Sequence, residues 1–198
     1  MTGFNTSKAS HSFAVHTTQY LLDFCKKYKS YYGKDGGVTL SGGEPLLQAK
    51  AILPLIEALK QENIHTCLDT SGALPLNDDI KNVLNQIDLV LLDIKHTDND
   101  AHIKLTSQSL ANTLAILDYL KRIKKPFVIR QVIVPGYTDS SEQVKQLKIL
   151  SQGAIKIELL PYHAMGVHKW EKLGLEYALK DIAPPSKELM DKLRAIVE

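Results

Sequence analysis

Residues 88–95, Asp-Leu-Val-Leu-Leu-Asp-Ile-Lys, contain the stretch that decides the fold. Four apolar side chains follow one another without interruption from Leu89 to Leu92. A strand that is apolar at successive positions is buried on both faces, which is typical of parallel sheets covered by helices. The segment therefore predicts a central strand of a parallel sheet over residues 89–94.

The sequence on either side of this strand alternates between short apolar runs and helix-period segments. Four more strands are predicted, at 38–41, 65–70, 127–134 and 155–160. Strands that alternate with helices form βαβ units with right-handed crossovers. We expect an α/β fold with five parallel strands, in a single domain that spans residues 1–198.

A further helix is predicted ahead of the first strand, over residues 12–32. Its apolar positions recur at spacings of three and four, as on one face of an amphipathic helix. The residues of this stripe are Phe13, Thr17, Tyr20, Phe24, Tyr28 and Tyr31.

Composition excludes several classes of protein. The 198 residues are 44% hydrophobic with a net charge of +2, as expected for a soluble domain and without a bias toward nucleic acid or membranes. No segment reaches the roughly 18 apolar residues of a membrane span, and residues 1–12 contain no apolar run of a signal peptide. Only two cysteines, Cys25 and Cys67, occur, far apart, so we expect free thiols and a cytoplasmic location.

The chemically unusual residues follow the predicted strands. Ligands of parallel α/β folds bind at the carboxyl ends of the strands, so loops there converge on one site. The five segments are 41–44, 69–72, 93–95, 135–137 and 161–163.

The residue types of these loops suit an amino-acid head group. The two glycines Gly42 and Gly43 allow a close approach of the backbone, and Glu44 places a carboxylate beside them. Asp69 and Asp93 add acceptors for an ammonium group, and Lys95 adds a cation for a carboxylate. The glycine motifs of common nucleotide-binding loops are absent.

Each of these residues also has an ordinary structural explanation. Gly-Gly-Glu is a common turn, Asp69 and Asp93 could cap helices, and Lys95 could be solvated. His163 and His168 could be loop histidines, and Trp170 could be an apolar anchor of its loop.

The order and spacing of the motifs together resemble the radical S-adenosylmethionine (SAM) enzymes. Gly-Gly-Val-Thr-Leu-Ser-Gly-Gly-Glu-Pro is similar to their glycine-rich SAM-binding motif. Later motifs resemble the branch that activates glycyl-radical enzymes, most closely the activating enzymes of pyruvate formate-lyase. The matching segments are 36–45, 65–72, 88–95, Arg130, 134–139, 157–163 and 166–170.

The resemblance implies a partial parallel (β/α) barrel and specific roles for residues at its rim. Gly42, Gly43 and Glu44 would hold the SAM ammonium, Lys95 would meet its carboxylate or nearby groups, and Asp93 would also contact the cofactor. His163 would lie beside the nucleoside. The residues of a possible monovalent cation site would be Asp69, Thr70, Asp93 and the carbonyl of Leu91.

The chemistry that the resemblance implies is reductive cleavage of SAM. A [4Fe–4S] cluster would deliver one electron, and cleavage would give methionine and a 5′-deoxyadenosyl radical. That radical would take a hydrogen atom from a glycine of the partner, pyruvate formate-lyase. An electron donor such as flavodoxin or ferredoxin would reduce the cluster.

The sequence departs from the family at the cluster. The family holds it with Cys-x3-Cys-x2-Cys after a first strand, and neither Cys25 nor Cys67 fits that spacing. We therefore expect the first strand to be missing, through a mis-assigned start, a truncated gene or a second polypeptide. Two other hypotheses remain open: a SAM- or partner-binding protein without a cluster, and an unrelated α/β-barrel enzyme using Glu44, Asp93 and Lys95 for acid–base catalysis.

Overall fold

The structure is a computed structural model that describes residues 15–34, 36–166, 174, 176–177, 179 and 181–198. Phe13, His168 and Trp170 lie outside the described residues, so their predicted roles have no structural counterpart here. No helix in the described part combines the length and the apolar character that a membrane span requires.

The described residues form five strands and seven α-helices in alternation. The strands are β1 (Gly37–Leu40), β2 (His65–Thr70), β3 (Leu89–Asp93), β4 (Phe127–Ile133) and β5 (Lys156–Pro161). The helices are α1 (Thr18–Lys27), α2 (Ala49–Gln61), α3 (Asp78–Gln86), α4 (Asn99–Thr106), α5 (Ala111–Arg122), α6 (Ser141–Leu150) and α7 (Lys187–Val197).

The strands form one parallel sheet in the order β1-β2-β3-β4-β5. Every predicted strand is present, and its bounds agree with the prediction to within one residue at each end. Within the described chain the sheet is not closed, because β1 pairs only with β2 and β5 pairs only with β4. The predicted α/β class with a partial parallel barrel is confirmed.

The two faces of the sheet differ in their surroundings. On β3, Val90 and Leu92 are fully buried beneath the helices, whereas Leu89, Leu91 and Asp93 are only partly buried on the other face. The run was predicted to be buried on both faces; the structure buries one face fully and the other only in part. The second face, here called the inner face, is less covered by the chain, so a ligand can bind there.

Helix α1 packs through a different stripe from the predicted one. Its aliphatic residues Leu21 and Leu22, with Cys25, pack against a small core cluster that includes Leu59 of α2. The aromatic residues of the predicted stripe are exposed, namely Tyr20, Phe24, Tyr28 and Tyr31. Successive helical residues are about 100° apart, so the aliphatic stripe directs the aromatic one away from the core. The regular helix is also shorter than predicted, and a 3₁₀ turn, Lys29–Tyr31, follows it.

Two helices, rather than the one predicted, connect β3 to β4. The additional helix α4 begins after Asp98, whose carboxylate accepts a hydrogen bond from the N–H of Ala101 at 2.9 Å. It ends at Ser107, which adopts a left-handed conformation with φ of 59°. This helix has a weak apolar periodicity, which explains why the sequence pattern does not reveal it.

Candidate functional site

The loops after β1 and β2 are joined by Glu44. Its Oε1 accepts hydrogen bonds from the Thr70 hydroxyl at 2.6 Å and from the Leu46 N–H at 3.2 Å. Its Oε2 accepts from the N–H of Ser71 at 3.0 Å and from the Ser71 hydroxyl at 2.6 Å. The structure thus brings the Gly-Gly-Glu turn and the Asp-Thr-Ser turn together, as convergence at the carboxyl ends of parallel strands predicts.

The glycines ahead of Glu44 border open space. Gly42 has φ of +130°, a conformation that side-chain-bearing residues rarely adopt. A Cβ atom added to either Gly42 or Gly43 would have no heavy atom within 4 Å. Nothing in the described chain fills the space beside this turn, so a ligand can approach its backbone closely.

A row of charged side chains crosses the inner face of the sheet. Arg130 on β4 donates from Nη1 to Oδ2 of Asp69 on β2 at 3.1 Å. Its Nε lies 3.7 Å from a carboxylate oxygen of Glu158 on β5, and Lys156 pairs with the same carboxylate at 2.9 Å. The side chains of Asp69, Arg130 and Glu158 are between 26% and 31% exposed, so solvent screens these pairs only in part.

Lys95 and Asp93 form a close ion pair at the end of β3. The second carboxylate oxygen of Asp93, Oδ1, is buried and has no hydrogen-bond partner among the described residues. A buried acceptor without a donor is costly, so a ligand that donates to this oxygen would be favoured. Lys95 keeps 38% of its side chain exposed and could meet an anionic group.

A cavity of about 430 Å³ lies at the carboxyl ends of β3, β4 and β5. Lys95 and His163 contribute polar groups, while Val132, Val134 and Leu160 contribute apolar walls. This mixture suits a ligand with a flat apolar portion and a few polar atoms. The pocket therefore joins the predicted residues Lys95 and His163 in one site.

Two tyrosines close the far side of the cavity. Tyr162 is buried, and its hydroxyl donates to the carbonyl of Leu179 at 2.9 Å. Burial raises the pKa of Tyr177 to about 12, and the hydrogen bond with Tyr162 adds to the effect. The Tyr177 phenol therefore stays protonated near neutral pH and acts as a neutral hydrogen-bonding group.

The residues of the predicted cation site are adjacent but already engaged. Asp69 and Leu91 are register partners on β2 and β3. The side chains of Asp69 and Asp93 pair with Arg130 and Lys95, and the Thr70 hydroxyl donates to Glu44. Within the described residues, no group of three or more His, Cys, Asp or Glu side chains could hold a metal ion. The cation site stays a prediction.

The two cysteines do not fit an iron–sulfur cluster. Such a cluster is held by several thiolates close together, whereas Cys25 lies on the outer helix α1 and Cys67 lies within β2. Burial raises the pKa of both thiols, which disfavours the thiolate form that binds iron. For Cys67, an adjacent Thr39 side chain acts in the opposite direction but more weakly.

A family comparison identifies the superfamily of this chain. A model of the Radical SAM superfamily matches residues 4–147, which include the glycine turn, the Asp-Thr-Ser turn and the Asp93–Lys95 pair. The chain belongs to the radical SAM superfamily. The hypothesis of an unrelated α/β-barrel enzyme is therefore wrong.

Curated relatives define the branch within this superfamily. The chain is 44% identical over 181 residues to the pyruvate formate-lyase-activating enzyme of Staphylococcus epidermidis, covering 87% of this chain and 72% of the relative. It is 41% identical over 194 residues to the enzyme of the same name from Staphylococcus aureus, covering 93% and 77%. The chain thus belongs to the family of pyruvate formate-lyase-activating enzymes.

Solved structures agree on the fold. A domain of a pyruvate-formate lyase-activating enzyme from Bacteroides vulgatus superposes with a TM-score of 0.67 at 23% identity, covering 82% of this chain and 92% of that domain. SuiB from Streptococcus suis superposes with a TM-score of 0.71 at 16% identity, covering 94% and 40%. These similarities establish the architecture of this radical SAM chain and nothing finer.

Sequence reasoning assigned no role to three members of the site, although Ser71 and Glu158 lie within the motif segments 65–72 and 157–163. Ser71 supplies two hydrogen bonds to Glu44, and Glu158 and Lys156 extend the charged row around Arg130. The sequence did contain a signal for the charged row around Arg130. In Lys-Ile-Glu-Leu, charged and apolar residues alternate along the strand, which places the charged side chains on one face. No comparable signal marks Ser71, because its role depends on the neighbouring loop.

Proposed function

We propose that the protein acts in the activation of pyruvate formate-lyase, on which a glycyl radical is formed through reductive cleavage of SAM. The proposal rests on the family match. It is supported by the positions of the motif residues, which lie close together at one end of the sheet. The protein substrate is a glycyl-radical enzyme, as the names of the relatives indicate.

Two regions at the carboxyl ends of the strands would bind the amino-acid part of SAM. The turn of Gly42, Gly43 and Glu44 would receive the ammonium group, where the backbone borders open space. Lys95 would meet the carboxylate, since it is the cation of the cavity and keeps part of its side chain accessible.

The nucleoside part would occupy the cavity at the ends of β3, β4 and β5. His163 lines this cavity, and the apolar walls suit the face of a purine. The unpartnered Oδ1 of Asp93 would accept a hydrogen bond from a ribose hydroxyl. Binding in this position would hold the sulfonium of SAM between the glycine turn and the cavity.

A [4Fe–4S] cluster supplies the reducing electron in this reaction class, and Cys25 and Cys67 do not provide a set of ligands for it. The contribution of the described residues is therefore to bind and orient SAM and its protein substrate. We infer that a flavodoxin or ferredoxin is the electron donor. A cytoplasmic location, with free thiols at Cys25 and Cys67, fits this assignment.

The monovalent cation site at Asp69, Thr70, Leu91 and Asp93 is part of the same proposal. A cation there would compete with Arg130 and Lys95 for the two carboxylates. Binding of the cation would therefore require these two ion pairs to rearrange.

A genetic experiment tests the function. The gene is deleted in the source organism, and the glycyl-radical signal of pyruvate formate-lyase is measured by electron paramagnetic resonance in anaerobic cells. We expect the signal to disappear, to return with the wild-type gene at its own locus, and not to return with Lys95→Met. Lys81→Met, which removes an exposed lysine of α3, is the matched control and should restore the signal. A full signal in the deletion strain would refute the proposal.

A further inference from the structure

The last strand of the sheet, β5, has a free edge. Within the described residues β5 pairs only with β4, so no strand covers the main-chain N–H and C=O groups on its other side. A groove of about 550 Å³ runs along this edge, between the strand and the end of helix α7. A free edge of this kind is a surface on which another extended segment can pair.

The charged side chains of β5 alternate in sign along the inner face. Lys156 and Glu158 lie two residues apart, and their side chains form an ion pair at 2.9 Å. The Lys156 side chain is 65% exposed and that of Glu158 is 31% exposed, so both remain accessible from the edge. An added strand is therefore favoured if it places a carboxylate opposite Lys156 and an ammonium opposite Glu158.

A second copy of β5 meets this requirement when it runs in the opposite direction. A twofold axis perpendicular to the sheet would bring two β5 strands together antiparallel, with their inner faces on the same side. In one possible register Lys156 faces Lys156, and in another Glu158 faces Glu158, so like charges repel in both. In the register between them, Lys156 of each copy faces Glu158 of the other.

We propose that two copies of this chain associate through antiparallel pairing of their β5 strands, with Ile157 at the twofold axis. Four charges then alternate in sign around the axis, because each Glu158 lies beside Lys156 of its own copy and opposite Lys156 of the second. On the other face of the sheet, the same register covers the exposed Ile155, which lies opposite Leu159 of the second copy. This inference does not depend on the proposed function.

The arrangement leaves the cavity of each copy open. The cavity lies at the carboxyl ends of β3, β4 and β5. Antiparallel pairing directs these ends of the two copies in opposite directions, so the second copy lies beside the sheet and not over the cavity. The two five-stranded sheets join into one continuous sheet with a candidate SAM site at either end.

Two charge-reversal variants test the proposed register. Analytical ultracentrifugation gives the dissociation constant of the dimer for the wild type, Lys156→Glu, Glu158→Lys and an equimolar mixture of the two variants. In either variant alone, like charges face each other twice, so we expect the dissociation constant to rise about tenfold or more. In the mixed dimer every facing pair again has opposite signs, so mixing the variants should restore association.

Three results would overturn the inference. If the wild type stays monomeric up to about 1 mM, the charges of β5 keep free edges apart instead of joining them. If a dimer forms but neither variant weakens it, the two copies meet through another surface. If both variants weaken the dimer and their mixture does not restore it, Lys156 does not face Glu158.

Disulfide cross-linking keeps the test decisive if Glu158→Lys does not fold. Directly opposed residues of antiparallel strands have Cα atoms about 4.5–5.5 Å apart, which is within the span of a disulfide. Ile157→Cys should therefore form a covalent dimer when oxidised glutathione is added. The wild type, with its free Cys25 and Cys67, gives the background.

Ile155→Cys is the matched control for this cross-link. Ile155 is 67% exposed, so random collisions would join cysteines at this position readily. In the proposed dimer the two copies of residue 155 are separated by about 13 Å along the strands, which is too far for a disulfide. Cross-linking of Ile155→Cys that equals or exceeds that of Ile157→Cys would contradict the proposal.

Discussion

The guanidinium of Arg130 on β4 reaches across β3 to the carboxylate of Asp69 on β2, with 3.1 Å between Nη1 and Oδ2. Because Asp93 is the register partner of Arg130 on β3, the guanidinium passes over the end of that strand. With its contact to Glu158 on β5, this one side chain on β4 links β2, β4 and β5 on the inner face. The pairing also determines which carboxylates near the proposed SAM site are available and which are already neutralised.

Replacing Arg130 should lower stability more than replacing an exposed partner of an ion pair. Arg130→Met leaves the partly buried carboxylate of Asp69 without its cation, while Glu158 keeps Lys156, and we expect a loss of about 1–2 kcal/mol in the free energy of unfolding. Lys81→Met, which removes an exposed pair with Asp78, should cost less than about 0.5 kcal/mol. Urea unfolding measures both values, and equal losses would show that the charged row is not a stabilising feature.

The two glycines of the turn should respond differently to alanine. Gly42 has φ of +130°, so Gly42→Ala should cost about 1–3 kcal/mol in backbone strain. Gly43 lies outside the positive-φ region and has open space where a Cβ would stand, so Gly43→Ala should cost nothing measurable. Thermal or urea unfolding of the two variants checks this. Equal destabilisation would contradict the conformation of the turn.

The buried His102 on α4 predicts a loss of stability in mild acid. Burial lowers its pKa below the ordinary value of 6.5 by more than a hydrogen bond with the His96 backbone raises it, and repulsion by His96 and Lys95 lowers it slightly further. Its Nδ1 has no partner among the described residues. Below pH 6.5 the unfolded chain therefore binds a proton that the folded chain does not. The free energy of unfolding should fall as pH drops below 6.5, by up to about 1.4 kcal/mol per pH unit from this residue.

A variant isolates the contribution of His102 from that of the other histidines. His102→Gln should have a shallower dependence of stability on pH between about 6.5 and 5, since glutamine does not titrate. Stability is measured by urea unfolding at several pH values. An unchanged slope in His102→Gln would mean that His102 is protonated in the folded protein as readily as in the unfolded chain.

Helix α1 offers a test of its unexpected orientation. Leu22 packs against the cluster that includes Leu59, whereas Phe24 is 53% exposed. Leu22→Ala should reduce the hydrogen-exchange protection of the α1 amides by about 1–2 kcal/mol, because it removes packing at the helix interface. Phe24→Ala should change protection by less than about 0.5 kcal/mol. The reverse order would mean that the aromatic stripe faces the core.

The sheet could be predicted from the sequence because its signals are local. Unbroken apolar runs, glycine-rich turns and helix caps each act within a few residues; the side chain of Asn77, for example, accepts a hydrogen bond from the N–H of Ile80 at the start of α3. The position of the site followed from the rule for parallel sheets. The residue types at strand ends then indicated a zwitterionic ligand.

The remaining details depend on contacts between distant segments. Nothing near Glu44 in the sequence indicates that Ser71 uses two of its acceptor positions, and the pair is 27 residues apart. The orientation of α1 depends on α2, because aromatic and aliphatic stripes at similar spacing compete for the same interface. The role of Arg130 appears only when β2, β3 and β4 are placed side by side.

The position of the SAM site is the central claim, and chemical-shift mapping by nuclear magnetic resonance tests it most directly. On addition of SAM, we expect the largest amide shifts at Gly42, Gly43, Ser71, Lys95 and His163, all at the carboxyl ends of the strands. A cavity of about 570 Å³ at the opposite end of the strands, lined by residues such as Lys121 and Phe127, should show none. Shifts confined to that opposite cavity, or no shifts at saturating SAM, would contradict the account.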